Sequence, residues 1–487
     1  MPRTPTLDQL KQNGTAFNTT YCQMPLCTPS RMCLLSGRQA RNCGAWNNSS
    51  VLAPTLNTIP KAFAAEGYTT ALVGKMHFGG NLQYHGFEHR PYGDLTGNAG
   101  HQRELHDIEA LGLTDATQLQ LRTLTAGLTT LPESQLQEQI VARETITFLR
   151  EQTAAKPDKP WLLCASFSRP HFPLNAPKRH LDKYWPKGVT PPKVGRTGDT
   201  FEHPMTQGMR KGFDADRIEG DERAKARAAY FANVDYLDEI LGDMLAVLGK
   251  DGLLKNTIIV YTSDHGETVG EHGVWWKNSW HEASTRVPFI FQTPLQRRGD
   301  AQANQINTPV SLADLFPTLC GLAGVQQPDG LEGKGMSPAI HTGNEPDHGY
   351  VCSDVLYDRW GKGMSFRMVR DGKYKYVCFG NAPQLLFDLE KDPFEQHNLA
   401  PQATGDVAQV LNKLRDFVKQ SIDLNDQETW IAEGKTIREQ HPRSIAFKTG
   451  NLFELPDGRL IAAEHHLYHP NVIAESAAEI IADAPSD

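Results

Sequence analysis

The chain has 487 residues, which is too long for one small core and predicts one large α/β domain with a smaller companion. Hydrophobic residues make up 39% and charged residues 22%, as is typical of a soluble globular protein. The net charge of −8 argues against nucleic acid as the main partner, although an anionic substrate stays compatible with it. No run of about eighteen apolar residues predicts a membrane span, and the eight cysteines predict no disulfide framework.

The first quarter of the chain alternates helical and extended patterns. Residues 4–14 predict a helix that ends at a glycine, and a second helix begins just after Cys27, at a Pro-Ser pair. A polar loop leads to a third predicted helix over residues 54–67, which has an apolar face. Residues 68–73 then predict a buried strand.

The middle of the chain continues this alternation. Helical periodicity covers residues 133–152 and, more strongly, residues 221–248. Nearly continuous apolar runs predict buried strands over residues 161–167 and 257–262. The segment 178–220 is rich in proline, glycine and charge, and we expect a long excursion there.

The pattern changes beyond residue 345. Two alternating segments flank Asp371-Gly372 and predict a β-hairpin in a small antiparallel sheet, followed by a helix over residues 403–422. The domains that we predict are a catalytic α/β domain over 1–345, an α+β subdomain over 346–423, and a tail of unknown role over 424–487.

Each of the three predicted apolar strands runs into a polar cluster at its carboxyl end. Strands that alternate with helices favour a parallel α/β sheet, and ligands of such sheets bind beyond the carboxyl ends of the strands. This topology should bring five side chains to one place: Lys75, His77, His171, Asp264 and His265.

Cys27 lies where free backbone N–H groups at a helix start favour an anion, and Arg31 projects from the same face four residues later. The pair is a candidate site for a nucleophile that acts on an oxyanion. A buried structural cysteine at the start of a helix would give the same local pattern.

Residues 27–38 resemble the sulfatase signature Cys-x-Pro-Ser-Arg-x-x-x-Leu-x-Gly-Arg. The matching residues are Cys27, Pro29, Ser30, Arg31, Leu35, Gly37 and Arg38. In that family the cysteine is oxidised to formylglycine, whose hydrate is the nucleophile. The resemblance therefore implies that Cys27 becomes the nucleophile and Arg31 its stabiliser. It also implies an alkaline-phosphatase/sulfatase-like fold with a large, mostly parallel sheet between helices.

Further segments resemble other parts of the family's site. Lys75 and His77 match residues that bind the sulfate and contact the formylglycine, and Lys277 matches a second sulfate-binding lysine. His171 matches the histidine that faces the leaving oxygen, which implies a general acid. Each of these side chains alone would more often be a packed or solvated residue.

The metal site implied by the resemblance holds calcium, or magnesium in its place, through Asp264, His265 and the modified Cys27. In the family, the first helix normally follows a buried strand that ends in two adjacent metal-binding aspartates, and no such pair precedes residue 4. We therefore expect either that the start codon was assigned late or that half of the metal site is missing. The sequence begins without a signal peptide, but its N-terminus resembles a truncated one, so the expected compartment stays open between the cytoplasm and the periplasm or a secreted location.

The resemblance implies an aryl or carbohydrate sulfate as the substrate and a formylglycine-generating enzyme as the maturation partner. Alternatives are a choline sulfatase, a phosphonate monoester or phosphodiester hydrolase of the same superfamily, and an inactive sulfatase-like binding protein. Trp275, Trp276 and Trp280 could stack on a sugar or cage a quaternary ammonium, although such residues are more often core.

Overall fold

The structure, a computed structural model, describes residues 1–92, 106–195 and 202–441 together with three short strands beyond them. The helices in these residues are α1 (Pro5–Asn13), α2 (Cys27–Ser36), α3 (Ile59–Ala65), α4 (Gln118–Leu124), α5 (Gln137–Ala155), α6 (Lys178–Leu181), α7 (Pro204–Phe213), α8 (Gly220–Lys250), α9 (Glu282–Thr285), α10 (Pro294–Arg298), α11 (Leu315–Ala323), α12 (Ser337–Thr342), α13 (Gly405–Ser421) and α14 (Gln427–Gln440). None of these helices is both long and apolar enough to cross a membrane.

The strands divide into several small sheets rather than one large sheet. They are β1 (Thr15–Phe17), β2 (Thr20–Tyr21), β3 (Thr69–Gly74), β4 (His89–Tyr92), β5 (Gly127–Leu128), β6 (Trp161–Ser166), β7 (Asn175–Ala176), β8 (Ile259–Thr262), β9 (Arg286–Val287), β10 (Phe289–Gln292), β11 (Asn304–Ile306), β12 (Val310–Ser311), β13 (Val351–Val355), β14 (Phe366–Asp371), β15 (Tyr374–Phe379), β16 (Leu385–Asp388), β17 (Leu452–Glu454), β18 (Leu460–Ala462) and β19 (Ile473–Ala474). The sheet β4-β3-β6 is parallel, whereas β8 ends the mixed sheet β11-β1-β10-β8.

Helices cover both faces of these two sheets. Leu163 of β6 and Tyr261 of β8 lie in a core that includes residues of α5 and α8. Their chain neighbours Leu162 and Val260 lie in a different core, which includes residues of α3 and α11. Because successive side chains of a strand point to opposite faces, this division places helices on both sides, as the alternating sequence pattern predicts.

Strands β6 and β8 are half-buried, which corrects the prediction that both are buried. Each strand ends its sheet, so one edge of each has no pairing strand among the described residues. Both strands line a cavity of about 1210 Å³, whose lining includes Arg31, Lys75, His171 and Asp264. The apolar runs predicted the positions of the strands correctly. The burial of a strand also depends on the strands that pair with it, and an apolar run does not identify those.

Two predicted segments differ from the structure in helix content. The helix expected over residues 54–67 is shorter, because Thr58 caps its start and the residues before it form no helix. The excursion expected over residues 178–220 contains α6 and α7. Gly208 and Gly212 of α7 face Trp360, where a Cβ atom would collide with that residue. Glycine has a low helix propensity, so two glycines in one short helix explain why the sequence did not predict α7.

The C-terminal part contains the predicted antiparallel sheet, in the order β13-β14-β15-β16. The hairpin pairs Asp371 with Tyr374 across its turn, as expected, and α13 packs on the sheet. Helix α14 lies in the predicted tail over residues 424–487, and residues 442–487 of that tail are outside the described residues except for β17, β18 and β19.

Candidate active site at the strand ends

Cys27 is the first residue of α2 and is buried, whereas the sequence suggested a position just before the helix. Lys75, His171 and His265 reach it from the segments that follow β3, β6 and β8, and Lys277 reaches it from the longer loop after β8. Gly74 makes the close approach of β3 to β6 feasible, because its φ is +94° and a Cβ atom there would collide with the carbonyl oxygen of Ser166. Lys75 follows directly and is buried.

Nitrogen atoms surround the sulfur of Cys27. The distances from its Sγ atom are 3.2 Å to Lys277 Nζ, 3.3 Å to His265 Nε2, 3.9 Å to His171 Nε2 and 4.0 Å to Lys75 Nζ. Burial raises the pKa of the Cys27 thiol, but Lys277, Lys75 and His265 outweigh burial and hold that pKa well below its usual range. The position therefore favours an anion.

Arg31 ties the strand ends together. Its Nε atom donates to Asp264 Oδ2 at 2.8 Å, and its Nη1 atom donates to the Lys75 carbonyl at 2.7 Å and to Ser166 Oγ at 3.1 Å. Burial raises the pKa of Asp264, but Arg31 and His265 outweigh it and hold the pKa well below its usual range. The Asp264 carboxylate is therefore ionised and fixed in orientation.

Backbone carbonyls orient the two histidines. Nδ1 of His171 lies 2.8 Å from the Phe172 carbonyl, and Nδ1 of His265 lies 2.8 Å from the Gly266 carbonyl. A carbonyl only accepts, so each Nδ1 carries a proton and each ring turns its Nε2 towards Cys27. Burial, Lys277 and Lys75 lower the pKa of His171 well below its usual value, so this imidazole is neutral.

His77 reaches the site through its backbone. Its carbonyl oxygen accepts a hydrogen bond from Thr28 Oγ1 at 2.6 Å, and its φ of +56° turns the chain after β3 towards α2. The contact of the His77 ring with the modified residue stays a prediction.

Cys27, Asp264 and His265 could each offer one ligand atom to a metal ion, and these atoms lie within 4.8 Å of one another. A carboxylate oxygen suits calcium, whereas a thiolate and an imidazole suit softer ions. The residues as encoded therefore fit calcium only in part. Replacement of the sulfur by oxygen would bring the donor set closer to the preference of calcium.

A second cluster joins His272, His281 and Glu395. The two imidazole rings stack with their centroids 4.1 Å apart and their planes 16° apart, so their in-plane lone pairs run nearly parallel and do not converge on one ion. The Lys375 ammonium already lies 2.7 Å from Glu395 Oε1. We attribute this cluster to the packing between the two parts of the chain.

The loop that carries His171 is held by a buried ion pair. Arg169 Nη1 lies 2.5 Å from Glu138 Oε2, and the backbone N–H of Arg169 donates to Glu138 Oε1 at 3.0 Å. We expect Glu138→Ala to lower the free energy of unfolding by about 3–5 kcal/mol, because the Arg169 guanidinium loses its buried carboxylate partner. Guanidinium chloride unfolding measures this loss.

The matched control for that prediction is Glu133→Ala. Glu133 makes a half-exposed ion pair with Arg179 at 2.8 Å, and its loss should cost less than about 1 kcal/mol. Equal destabilisation by the two substitutions would contradict a special contribution of the buried pair.

The structure divides the three tryptophans that the sequence left open. Trp275 and Trp280 are buried in the core, whereas Trp276 is half-buried next to Lys277, whose Nζ atom lies 5.6 Å from the Trp276 ring centroid. Sequence reasoning missed Arg122, whose guanidinium lies beside this ring. Arg122 belongs to a stretch with no readable pattern, so no signal in the sequence could have found it.

Two curated relatives resemble this chain over most of its length. A choline-sulfatase of Rhizobium meliloti is 29% identical over 450 residues, which cover 89% of this chain and 85% of the relative. An arylsulfatase of Clostridium perfringens is 28% identical over 471 residues, which cover 91% of this chain and 93% of the relative.

Solved structures share the fold. The phosphonate monoester hydrolase of Agrobacterium radiobacter superimposes with a TM-score of 0.68 at 23% identity, and the match covers 95% of each chain. A protein solved with its substrate D-glucosamine-2-N,6-O-disulfate superimposes with a TM-score of 0.65 at 21% identity, over 90% of this chain and 93% of that chain. These matches confirm the predicted α/β fold class.

Family models cover both parts of the chain. The model described as N-sulphoglucosamine sulphohydrolase, C-terminal, matches residues 270–423, and the model described as Sulfatase matches residues 1–325. The latter spans more than half of the chain, including Cys27 and every side chain placed around it. This protein therefore belongs to the sulfatase family and is a sulfuric ester hydrolase, as the residues around Cys27 predict.

Proposed function

We propose that this protein hydrolyses an aryl or carbohydrate sulfate ester to an alcohol and inorganic sulfate, with a formylglycine hydrate derived from Cys27 as the nucleophile. The observation that carries this proposal is the convergence of Lys75 and Lys277 on the Cys27 sulfur, at 4.0 Å and 3.2 Å. Two buried ammonium groups at one point offer strong binding to a tetrahedral oxyanion, because little water screens them.

Each neighbouring residue has a distinct part in this proposal. Lys75 and Lys277 bind the sulfate oxygens and stabilise the charge that develops on them. His171 points its Nε2 atom at the sulfate-binding region around Cys27. Once the His171 imidazole has taken up a second proton, it protonates the leaving oxygen. Arg31 donates a hydrogen bond to Asp264 near the ends of β6 and β8, and this bond keeps the carboxylate ionised and oriented so that it can bind a cation.

The proposed modification needs a separate formylglycine-generating enzyme as a partner. A formylglycine hydrate supplies one oxygen that attacks sulfur and a second hydroxyl whose deprotonation later expels sulfate. Calcium, or magnesium in its place, would be held by Asp264, His265 and the modified residue 27.

Calcium binding is testable without turnover. We expect isothermal titration calorimetry to detect Ca²⁺ binding to the matured protein and Asp264→Asn to weaken it at least about tenfold, because the ionised carboxylate is lost. Asp251→Asn is the matched control, since Asp251 pairs with the exposed Arg150 away from the site. Absence of binding to the matured protein would favour a binding-only homologue.

The main competing reaction is hydrolysis of a phosphonate monoester. A sulfate monoester and a phosphonate monoester both carry one negative charge on a tetrahedral centre, so the cations around Cys27 do not discriminate between them. The test compares kcat/KM for phenyl sulfate and for the phenyl monoester of phenylphosphonate. We expect faster cleavage of the sulfate, and faster cleavage of the phosphonate would overturn the proposal.

A further inference from the structure

Beside Cys27 lies a group of rings that we call the aromatic wall: Phe172, Phe213, Trp276 and Trp360. The rings of Phe213, Trp276 and Trp360 contact one another, with centroids 5.5 Å apart for Phe213 and Trp276 and 5.6 Å apart for Trp276 and Trp360. Such a group of electron-rich faces could cage a quaternary ammonium. In this protein, however, cations of the chain itself already occupy positions against the rings.

Arg122 makes the closest of these contacts. Its Cζ atom lies 3.6 Å from the Phe172 centroid, 5.5 Å from the Trp276 centroid and 5.7 Å from the Phe213 centroid. A guanidinium stacked at such distances is attracted to the ring faces, and the stack holds it in one orientation. The positive charge at this place is therefore fixed rather than carried on a mobile side chain.

Two more cations face the same wall. Arg359 Cζ lies 5.6 Å from the Trp276 centroid and 5.1 Å from the Trp360 centroid. Lys277, which contacts Cys27, lies 5.8 Å from the Phe172 centroid. Arg122, Arg359 and Lys277 thus place three positive charges next to the rings. These charges would repel a cationic ligand that the rings alone would attract.

Arg122 also has unused hydrogen-bonding capacity. Its Nη1 atom is buried and has no hydrogen-bond partner among the described residues. Burial lowers the pKa of Arg122 to about 10, so the guanidinium stays charged at neutral pH, and it interacts electrostatically with Glu267 and Cys27. A buried charged donor without a partner is costly, and an anionic ligand group would satisfy it.

The wall lies on the leaving-group side of the site. The ring of Phe172 packs on the ring of His171 with centroids 4.0 Å apart, and Arg122 packs on Phe172. If His171 faces the leaving oxygen, the alcohol part of the ester begins at His171 and extends towards Phe172 and Arg122. Arg122 would then meet the substrate beyond the ester oxygen.

We propose that Arg122 determines specificity by selecting sulfate esters whose alcohol part carries a second anionic group, and that the site rejects cationic alcohols such as choline. The inference rests on the proposed sulfatase activity and deepens it, because it names the charge class of the substrate. Acidic or multiply sulfated saccharides and carboxylated aryl sulfates belong to this class.

Three phenyl sulfates test the inference: 3-carboxyphenyl sulfate, 3-tert-butylphenyl sulfate and 3-(trimethylammonio)phenyl sulfate. The last two have nearly the same shape and differ in charge. We expect the matured enzyme to prefer the carboxylate over the ammonium ester in kcat/KM, and Arg122→Gln to reduce that ratio at least about tenfold. Intrinsic leaving-group differences cancel when the ratios of the two proteins are compared.

Two further variants sharpen the result. Arg122→Lys keeps the charge and should retain most of the preference, which also covers the case in which Arg122→Gln fails to fold. Arg150→Gln removes an exposed arginine that pairs with Asp251 and should leave the ratio unchanged. A ratio that Arg122→Gln does not change, or a preference for the ammonium ester in the unsubstituted protein, would overturn the inference.

Binding measurements separate this inference from the proposed function. The dissociation constants of the three esters for the Cys27→Ala protein report charge preference without turnover. If none of the esters is cleaved but the carboxylate ester binds most tightly, the sulfatase proposal fails and only the charge preference of Arg122 in binding stands. If the esters are cleaved and bound without regard to charge, the inference fails and the sulfatase proposal stands.

Discussion

Replacement of Cys27 by alanine is expected to lower kcat/KM for sulfate esters by at least about a thousandfold and to leave the fold intact. Alanine has no sulfur that the maturation enzyme could oxidatively replace with oxygen, so the proposed nucleophile cannot form, and the remaining lysines bind sulfate without attacking it. Turnover of an aryl sulfate measures the first effect, and circular dichroism with thermal unfolding measures the second.

Cys320→Ala is the matched control, because Cys320 is also buried but lies in the core between α3 and α11, away from the site. It should lose some stability and keep its activity. Mass spectrometry of the peptide that contains residue 27 reports whether sulfur has been replaced by oxygen. Unchanged turnover in Cys27→Ala would rule out the formylglycine mechanism.

The position of the site could be predicted because its determinants are local. Three short apolar runs identify β3, β6 and β8, and each run is followed at once by polar residues. The carboxyl ends of parallel strands are expected to meet at one edge of a sheet, and this expectation brings Lys75, His171 and Asp264 together although β8 lies in a separate mixed sheet. The cavity that reaches all three agrees with this reasoning.

Lys277 illustrates what spacing alone cannot supply. It lies 250 positions from Cys27 in the sequence, yet its Nζ atom is nearer to the sulfur than that of Lys75. No strand end and no helical periodicity in the sequence predicts Lys277 as a site residue. Only the resemblance of its surrounding segment to the family predicts it. A chain of this length has many lysines, and the path of the loop after β8 decides which of them arrives.

The remaining features could not be predicted because they depend on packing between distant segments. The division of the sheet leaves β6 and β8 at sheet edges, which no run of apolar residues reveals. Arg122 reaches the aromatic wall only because α4 and α7 lie next to the loops of Phe172 and Trp276. These features decide which rings and charges lie around the site, so we expect them to affect substrate choice more than the reaction itself.

The neutral state of His171 leads to the second large effect. Burial, together with Lys277 and Lys75, lowers its pKa in the free protein, so it lacks the proton that a general acid must donate. A bound sulfate ester neutralises part of the lysine charge, which raises the pKa of His171 in the complex and allows it to take up a proton. The requirement for that proton depends on how stable the departing alkoxide or phenoxide is.

We therefore expect His171→Gln to lower kcat/KM about 10²–10⁴-fold for an alkyl sulfate, but less than about tenfold for 4-nitrophenyl sulfate. The nitrophenolate ion leaves without protonation, whereas an alkoxide does not. Parallel kinetics on the two esters measures the difference, and His397→Gln, at an exposed position, is the matched control. An equal loss for both esters would mean that His171 positions the sulfate group and does not protonate the leaving oxygen.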